Sequence, residues 1–308
     1  MNKTVIPVFD HSGTPNVGRM PEWIRQPLSV GSQYGQTATT VARQQLNTVC
    51  VEARCPNRQE CWSRGTATFM LLGETCTRAC GFCAVKTGKP DWFDADEPRR
   101  VAEAALNMGL DYVVLTCVNR DDLPDGGASI FADTITRLRQ GKPDMGIELL
   151  TSDYYRCQEQ AIETIYQALC DAPGETRMVW GHNVETVPAL YKTVRKGSDY
   201  QRTLKLLGMA AQLDGVEAKS AIMLGLDEHY QDVLQVFRDL REAGVERLAV
   251  GQYLRPSKYH LPVKRYLSPA EFNEYAVQAR AMGFGWVKSG PLVRSSYHAE
   301  EEQSVLHI

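Results

Sequence analysis

The amino-acid sequence predicts an α/β fold, a partial TIM-like barrel built from six β/α units. Three observations support this prediction. Short runs that are apolar on both faces recur from Thr68 onward, as buried parallel strands do. Stretches with helical spacing of apolar residues separate these runs, and this alternation is typical of a parallel sheet. No run is followed by the Gly-x-Gly-x-x-Gly pattern of a dinucleotide-binding, doubly wound sheet, so we expect a barrel.

The predicted elements follow one another from residue 68 to residue 290. Six runs rich in Val, Leu, Ile and aromatic residues are predicted strands. They lie at 68–73, 111–116, 146–151, 177–181, 218–225 and 246–253. Five amphipathic stretches, several of which end at a glycine suited to a helix C-terminus, are the predicted helices between them. They lie at 98–109, 129–140, 158–170, 201–213 and 230–244. A helix at 268–283 and a short strand at 285–290 complete the series.

These elements divide the chain into three predicted parts. Residues 1–66 form an N-terminal extension, whose residues 1–45 have weak periodicity and are expected to be an irregular arm. Residues 67–284 form the barrel, and residues 285–308 form a C-terminal extension. Because the functional groups of a parallel barrel collect at the carboxyl ends of its strands, we expect the site in the loops that follow them.

Composition and charge exclude several classes of protein. Of the 308 residues, 43% are hydrophobic and 23% charged, which is an ordinary globular composition. Lys plus Arg number 34 and Asp plus Glu 37, so the net charge of -3 gives no global basic field that would indicate nucleic acid. Residues 1–15 contain no apolar signal segment, and no stretch approaches the ~18 apolar residues of a membrane span. We therefore expect a cytoplasmic protein that binds neither nucleic acid nor membrane.

Nine cysteines are unusual for such a chain. An odd number in a large protein without an export signal argues against a disulfide framework and for an intracellular metal or redox site. Six of the nine lie between Cys50 and Cys83, which is denser than buried structural cysteines usually are. The remaining three, Cys117, Cys157 and Cys170, are isolated and are expected to be small core residues.

The first trio of cysteines directly follows the first predicted strand. Cys76, Cys80 and Cys83 have the spacing Cys-x3-Cys-x2-Cys, and no further His or Cys follows closely enough to complete a four-ligand zinc site. A [4Fe–4S] cluster is usually held by four cysteines, so three thiolates would leave one iron open to a small molecule. Phe82, directly before the last cysteine, is placed to shield such a cluster.

The second trio precedes the barrel. Cys50, Cys55 and Cys61 have the spacing Cys-x4-Cys-x5-Cys, and Pro56 with Asn57 favours a turn through which three sulfurs could converge without regular structure. Taken alone, this trio is compatible with zinc as well as with a second iron–sulfur cluster.

The segment CTRACGFC (76–83) resembles the signature of the radical S-adenosylmethionine superfamily. The resemblance implies that the amino and carboxylate groups of S-adenosylmethionine chelate the open iron. One electron from the cluster would then cleave the sulfonium bond, and the resulting 5′-deoxyadenosyl radical would remove hydrogen from an unactivated carbon.

The two trios together resemble one family of this superfamily, the lipoyl synthases. Further segments similar to that family extend over nearly the whole chain. They are PEWIR (21–25), RDDLPDGGA (120–128), HNVETVPALY (182–191), YQRTLKLL (200–207), KSAIMLGL (219–226), GQYLRPSKYHLPVKRY (251–266) and SGPLVRSSYHA (289–299).

What the resemblance implies is insertion of two sulfur atoms, at C6 and C8, into an octanoyl chain carried on a protein lysine. Two [4Fe–4S] clusters and S-adenosylmethionine would be the cofactors. Cys50, Cys55, Cys61 and Ser296 would hold an auxiliary cluster that donates the sulfur. From the residues alone, Ser295 and Ser296 would be a polar turn. A serine oxygen is a weaker ligand for iron than a thiolate, which suits a cluster that is dismantled.

The same resemblance implies partner proteins. The substrates would be octanoylated lipoyl carrier domains, namely the E2 subunits of 2-oxoacid dehydrogenases and the glycine cleavage H protein. A flavodoxin- or ferredoxin-type electron donor and an iron–sulfur assembly carrier would also be required. Two other interpretations are a different sulfur-inserting or methylthiolating radical enzyme and a non-enzymatic binding module with two structural zinc sites.

Further site residues are predicted because they lie on or directly after barrel strands. We expect them to contact S-adenosylmethionine, and the alternative for each is an internally satisfied polar or core residue. They are Asn119, Arg120, Glu148, Asn183, Glu185, Arg195, Met223 and Gln252.

Basic residues near the C-terminus are candidates for contact with an acidic carrier domain. These are Lys258, His260, Lys264 and Arg265, and the alternative is a solvated basic face. Arg294 is a candidate bridge between cluster and substrate, or a surface arginine paired with the acidic residues that follow.

The chain also departs from the family pattern. Val51 stands where an acidic residue is usual, and Ala189 and Ala221 replace an arginine and a glycine. Tyr154 and Tyr155 stand near a position where a Pro-Asp-Phe type segment is usual. None of these changes removes a predicted cluster ligand, so the activity is retained in this interpretation. The departures are compatible with a divergent or second copy whose carrier preference differs.

Overall fold

A computed structural model of the chain describes residues 20–24, 32–64, 68–297 and 299. Short strands and helices alternate along most of these residues. The strands are β1 (Thr68–Leu71), β2 (Thr75–Cys76), β3 (Lys86–Thr87), β4 (Tyr112–Cys117), β5 (Gly146–Leu150), β6 (Met178–Gly181), β7 (Val216–Leu224), β8 (Arg247–Gln252) and β9 (Trp286–Gly290).

The helices in the described ranges cover the N-terminal extension and the outside of the sheet. They are α1 (Ser32–Arg43), α2 (Val49–Glu52), α3 (Arg58–Ser63), α4 (Glu97–Asn107), α5 (Ala128–Gly141), α6 (Gln158–Asp171), α7 (Tyr191–Val194), α8 (Tyr200–Ala210), α9 (Tyr230–Glu242) and α10 (Pro269–Ala281). Short 3-10 turns lie at Glu22–Ile24 and Pro188–Leu190.

The main sheet has seven strands in the order β1-β4-β5-β6-β7-β8-β9, and every neighbouring pair is parallel. Strand order follows chain order, so each crossover helix lies beside the strands that it connects. All six predicted barrel strands and the six predicted helices are present, which confirms the α/β fold class. The strand β9 adds a seventh member to the sheet beside β8.

The prediction of an irregular arm at residues 1–45 was wrong for residues 32–43, because α1 occupies them. Residues 1–19 and 25–31 lie outside the described residues. Tyr34 of α1 stacks on Trp62 with ring centroids 5.4 Å apart, and Thr37 donates to the Trp62 carbonyl oxygen at 3.2 Å. Tertiary contact with α3 therefore stabilises this helix.

Two hydrophobic cores flank the strands. The first surrounds Phe69, Phe131 and Trp180, and the second surrounds Phe237 and Phe272. All five side chains are buried, so the helices pack over both halves of the sheet, the first core along β1 and β4–β6 and the second along β7 and β8. In the part of the chain that the structure describes, no helix is long and apolar enough to cross a membrane.

A buried ion pair crosses the interior of the sheet. The Lys219 ammonium on β7 lies 2.9 Å from the Glu148 carboxylate on β5, and the two side chains are 0% and 1% exposed. The Tyr112 hydroxyl donates to the same carboxylate at 3.1 Å. These contacts compensate the desolvation of both charges.

Replacement Lys219→Ala should destabilise the protein by about 3–5 kcal/mol, because it leaves the Glu148 carboxylate buried without its counter-charge. The thermal midpoint, followed by circular dichroism, should fall by about 10 °C. The matched control is Lys205→Ala, which removes an exposed ion pair with Glu159 and should cost about 0–1 kcal/mol. Equal shifts for the two variants would contradict the assigned role of the buried pair.

Candidate active site

A cavity of about 480 Å³ opens at the carboxyl ends of the barrel strands. Its volume lies within the range of small-molecule sites, roughly 300–1,000 Å³. Eleven of the predicted site residues line it. They are Cys55, Cys76, Cys80, Phe82, Cys83, Asn119, Asn183, Glu185, Arg195, Met223 and Ser296.

The loop between β2 and β3, which we call the cluster loop (residues 77–85), carries two of the first three cysteines, and Cys76 ends β2. It is held on both sides by backbone hydrogen bonds, from Gly81 to the Val194 carbonyl oxygen at 2.9 Å and from Leu261 to the Gly81 carbonyl oxygen at 3.0 Å. A Cβ atom on Gly81 would lie 2.9 Å from Leu261 Cδ1 and 3.1 Å from the Thr193 carbonyl oxygen, so glycine favours this close approach. The cluster loop is therefore fixed in place rather than free at the cavity wall.

Arg78, which the sequence analysis did not single out, anchors the cluster loop to two further strand ends. Its guanidinium donates to Asp121 after β4 and to Asp153 after β5, the latter at 3.2 Å. It also donates to the Gly197 carbonyl oxygen. Two carboxylates beside the guanidinium raise its pKa further above its ordinary value, despite burial. Its position between Cys76 and Cys80 was the available sequence signal.

The second trio is assembled by the turn between α2 and α3. Cys50 lies on α2, Cys61 on α3 and Cys55 in the turn, so two of the three sit in short helices rather than in irregular chain. The three cysteines and Ser296 line one small cavity of about 40 Å³. Residues 50–61 and the C-terminal segment thus meet in the folded chain, although more than 230 residues separate them.

Side-chain hydrogen bonds hold these two distant segments together. The Asn57 amide donates to the Leu292 carbonyl oxygen at 2.7 Å. The Tyr297 hydroxyl donates to the Glu60 carboxylate at 3.0 Å. Both bonds flank the small cavity, because Asn57 and Tyr297 are also among its lining residues.

The small and large cavities share part of their lining. Cys55, Arg294 and Ser296 line both of them. Ser295 lines only the large cavity, and its hydroxyl is buried with no hydrogen-bond partner among the described residues. Of the two serines, the structure therefore places Ser296 with the second cysteine trio.

The thiols of both trios lie in surroundings that favour the protonated form until a metal binds. Burial raises the pKa of Cys80 to about 12 and that of Cys83 to about 11. Burial also raises the pKa of Cys50 and of Cys55. Metal coordination replaces these protons, since thiolates are the ligand form of cysteine. All nine cysteines of the chain are free of disulfides.

The donor sets of the two trios are compatible with iron–sulfur clusters. Among the described residues, no three His, Cys, Asp or Glu side chains are placed to hold one metal ion. A tetrahedral zinc needs thiolates within about 4 Å of each other, since each Zn–S bond is ~2.3 Å. A four-iron cluster binds each thiolate to a different iron and therefore accepts a wider spacing. The backbone amides of Arg78 and Asn119 also point at the Cys76 sulfur, at 3.4 and 3.3 Å, as donors that stabilise a thiolate.

Opposite the cluster loop, charged and polar groups converge after β6. Glu185 has a left-handed backbone, with φ of 65°, and is held there by hydrogen bonds with the backbone of Ala221 and Met223 at 3.0 and 2.9 Å. The Asn183 amide donates to Glu185 at 3.0 Å, while the Asn183 oxygen is buried without a partner among the described residues. Burial raises the pKa of Glu185. A strained acidic residue and a free amide acceptor beside it fit the ammonium end of an amino acid.

Arg195 supplies positive charge to the same wall. Its guanidinium donates to Tyr191, Thr203 and His182 at 3.2, 3.0 and 2.9 Å. None of these partners is a carboxylate, so the buried cation has capacity for an anionic ligand in the cavity, such as the carboxylate of an amino acid or the thiolate of Cys80.

Three of the residues predicted to contact S-adenosylmethionine do not line the large cavity, and their side chains already have partners within the protein. Arg120 is paired with Asp122 at 2.8 Å, and Glu148 with Lys219. The Gln252 side chain bonds only to backbone groups, four of them, including the Leu224 carbonyl oxygen at 2.9 Å. The polar atoms of each of these three side chains already have partners within the protein, which is the alternative role considered from the sequence.

His182 is a buried neutral residue that the sequence analysis missed. Its Nδ1 lies 2.8 Å from the Thr151 carbonyl oxygen, and its Nε2 accepts from Arg195. The proton therefore lies on Nδ1. Burial, together with Arg195, lowers the pKa of His182 to about 3. Its place directly after the fourth predicted strand was the available signal.

Lowering the pH from 7.5 to 5.5 should remove about 1.4 kcal/mol of stability through His182, because the unfolded chain binds a proton near pH 6.5 and the native histidine does not. This contribution is present above pH 6.5 and declines as the pH falls toward 3. The measurement is the thermal midpoint of the wild type and of His182→Gln at both pH values. The gap between the two proteins should narrow by about 3 °C at pH 5.5. A gap that stays constant would contradict the neutral assignment.

Comparisons with known proteins agree with this geometry. The Radical SAM superfamily model matches residues 70–251, more than half of the chain. The fold is similar to that of Streptococcus suis SuiB bound to S-adenosylmethionine, with a TM-score of 0.53 and 14% identity over 77% of this chain and 55% of that one. Methylornithine synthase (PylB) gives a TM-score of 0.50 and 12% identity over 84% of this chain and 82% of that one. The fold and the Cys-x3-Cys-x2-Cys loop thus define a radical S-adenosylmethionine protein.

Comparison with curated sequences identifies the family within this superfamily. Lipoyl synthase of Rubrobacter xylanophilus is 49% identical over 92% of this chain and 86% of its own length. Lipoyl synthase of Alcanivorax borkumensis is 46% identical over 92% and 85%, and that of Chlorobium phaeovibrioides 46% over 92% and 98%. The chain belongs to the lipoyl synthase family, and S-adenosylmethionine and iron–sulfur chemistry come with that membership.

Proposed function

We propose that this protein inserts two sulfur atoms, at C6 and C8, into an octanoyl chain attached to a lysine of a carrier domain. The observation that carries the proposal is the shared lining of the two cavities by Cys55, Arg294 and Ser296. Cys55 of the second trio thus lines the same cavity as the three cysteines of the first trio, and Cys50 and Cys61 line the small cavity beside it. A substrate carbon in the large cavity is thus accessible both from the first trio and from Cys55 and Ser296.

Each group of residues has a separate task in the proposal. Cys76, Cys80 and Cys83 would hold the cluster that binds S-adenosylmethionine, and a second set of ligands would hold the auxiliary cluster. This second set is Cys50, Cys55, Cys61 and Ser296. When bound, these cofactors supply the radical that activates a C–H bond and the sulfur that replaces the hydrogen.

The remaining lining residues bind, orient and exclude water. Glu185 and Asn183 are placed for the amino group of S-adenosylmethionine, and Arg195 for its carboxylate. Apolar side chains, including Met70 and Leu150, line the same cavity and suit an alkyl tail. An apolar, enclosed site also protects a reactive carbon centre from side reactions.

The proposal extends to partners in the cytoplasm. The substrate is protein-bound, so we infer that octanoylated domains of 2-oxoacid dehydrogenase E2 subunits and of the glycine cleavage H protein are the carriers. A flavodoxin- or ferredoxin-type protein would supply electrons, and an iron–sulfur assembly carrier would rebuild the consumed cluster.

The test uses reduced holoprotein, S-adenosylmethionine and an octanoyl-lysine peptide under oxygen-free conditions. Mass spectrometry of the oxidised product should show two sulfur atoms in place of two hydrogens. A peptide with an unmodified lysine is the control and should not change. Cleavage of S-adenosylmethionine without sulfur in the octanoyl peptide would contradict the assigned substrate and favour another radical enzyme of the superfamily.

A further inference from the structure

Two chain segments that form hydrogen bonds with the cluster loop are basic and contain no acidic residue. They are residues 189–198 and 251–266. The first bonds to the Gly81 amide through Val194, and the second to the Gly81 carbonyl oxygen through Leu261. Positive charge is thus concentrated directly beside the cluster loop, although the whole chain carries a net charge of -3.

The second segment also contacts a predicted cluster ligand. The His260 Nε2 atom lies 3.0 Å from the Cys83 carbonyl oxygen, and its Nδ1 atom lies 2.9 Å from the Ser257 hydroxyl. The exposed residues next to His260 in the chain are therefore connected to the backbone of Cys83 through a single side chain, that of His260.

Four exposed residues form what we call the outer face of the cluster loop: Lys192, Lys196, Lys258 and Tyr259. None of the three lysines is ion-paired with a described residue. Tyr259 is 86% exposed, and the Lys258 ammonium lies 5.2 Å from its ring centroid. Three lysines, one of them beside an exposed aromatic ring, give this surface a positive charge that is complementary to an acidic protein.

The position of the outer face distinguishes between two acidic partners. None of its four residues lines the large cavity, whereas Arg54 and Arg255 do. A carrier domain must deliver its acyl chain into the cavity and therefore docks over the mouth. An electron donor needs only to approach the cluster loop, and the outer face gives that approach without covering the mouth.

We propose that the outer face of the cluster loop is the docking surface for an acidic one-electron donor protein. This inference rests on the proposed function, because it assigns the partner that reduces the first cluster. Complementary charge raises association rates, and the effect is screened by salt.

The test variant reverses the charge of the three lysines of the outer face in the reconstituted holoprotein. Its substitutions are Lys192→Glu, Lys196→Glu and Lys258→Glu. The control makes the same charge change on outer helices, with Arg137→Glu, Arg238→Glu and Arg280→Glu. Stopped-flow absorbance would follow cluster reduction by an acidic, prereduced flavodoxin at low and high ionic strength. Surface plasmon resonance would measure binding of the same flavodoxin.

The lysine variant should bind flavodoxin more weakly and be reduced on the order of 10–100-fold more slowly at low salt, with a smaller difference at high salt. Reduction by dithionite, and sulfur insertion driven by dithionite, should match the control. Unchanged reduction by flavodoxin would overturn the docking surface. A raised KM for the octanoylated carrier domain, together with an unchanged rate of cluster reduction by flavodoxin, would also overturn the docking surface. The outer face would then bind the carrier domain instead. Absence of product in the wild type with dithionite would instead count against the proposed function.

Discussion

Replacement Cys55→Ala should abolish sulfur insertion, with a loss of at least about 10³-fold, while cleavage of S-adenosylmethionine continues. Cys55 belongs to the second trio and lines both cavities, so its loss removes the auxiliary cluster and leaves the first trio intact. Iron in the oxygen-free protein should fall from about eight atoms per chain to about four, the content of one [4Fe–4S] cluster.

Cys80→Ala is the complementary variant. It removes a ligand from the first trio, so both cleavage of S-adenosylmethionine and sulfur insertion should be lost, again with about four irons retained. Cys170→Ala is the matched control, because this exposed cysteine on α6 belongs to neither trio and should retain full iron and activity. Identical defects in Cys55→Ala and Cys80→Ala would contradict two functionally separate clusters.

Ser296→Ala should lower sulfur insertion by at least about 10²-fold and preserve both cysteine trios. In the proposed function the hydroxyl of Ser296 is the fourth ligand of the auxiliary cluster, and Ser296 lines the small cavity together with Cys50, Cys55 and Cys61. Its loss would change the iron from which sulfur is released rather than the thiolate ligands. The readouts are lipoyl product, 5′-deoxyadenosine and iron content measured on the same preparation.

Ser295→Ala is the control for that variant. Ser295 is adjacent in sequence and equally polar, but it does not line the small cavity. Ser295 lines the large cavity only, so its loss should leave the iron content at the wild-type value and the product yield within about threefold of the wild type. Equal product from Ser296→Ala and the wild type would remove Ser296 from the site.

Much of the fold could be predicted from the sequence because strands buried on both faces leave a continuous apolar run. The runs at 111–116 and 246–253 match β4 and β8 to within one residue at each end. The helix α1 could not be predicted in this way. Its contacts with Trp62 depend on a partner that lies 25 residues beyond Thr37 in the chain.

The position of the first cysteine trio at the cavity could be predicted because it directly follows the first strand, whereas its role as a set of cluster ligands stays a prediction. The weaker predictions rested on proximity to strand ends, and this does not determine which way a side chain points. Asn183 and Glu185 face the cavity, whereas Glu148 on β5 pairs with Lys219 inside the sheet. The role of Arg78 depends on carboxylates from two distant loops, so spacing could not reveal it.

The central claim is that two four-iron clusters border one cavity. The most direct measurement is an anomalous difference map at the iron edge from crystals of the reconstituted protein grown without oxygen. We expect two iron peaks of equal strength. One should lie among Cys76, Cys80 and Cys83, and the other among Cys50, Cys55 and Cys61 beside Ser296. A single iron peak, or a zinc peak at the second trio, would contradict it.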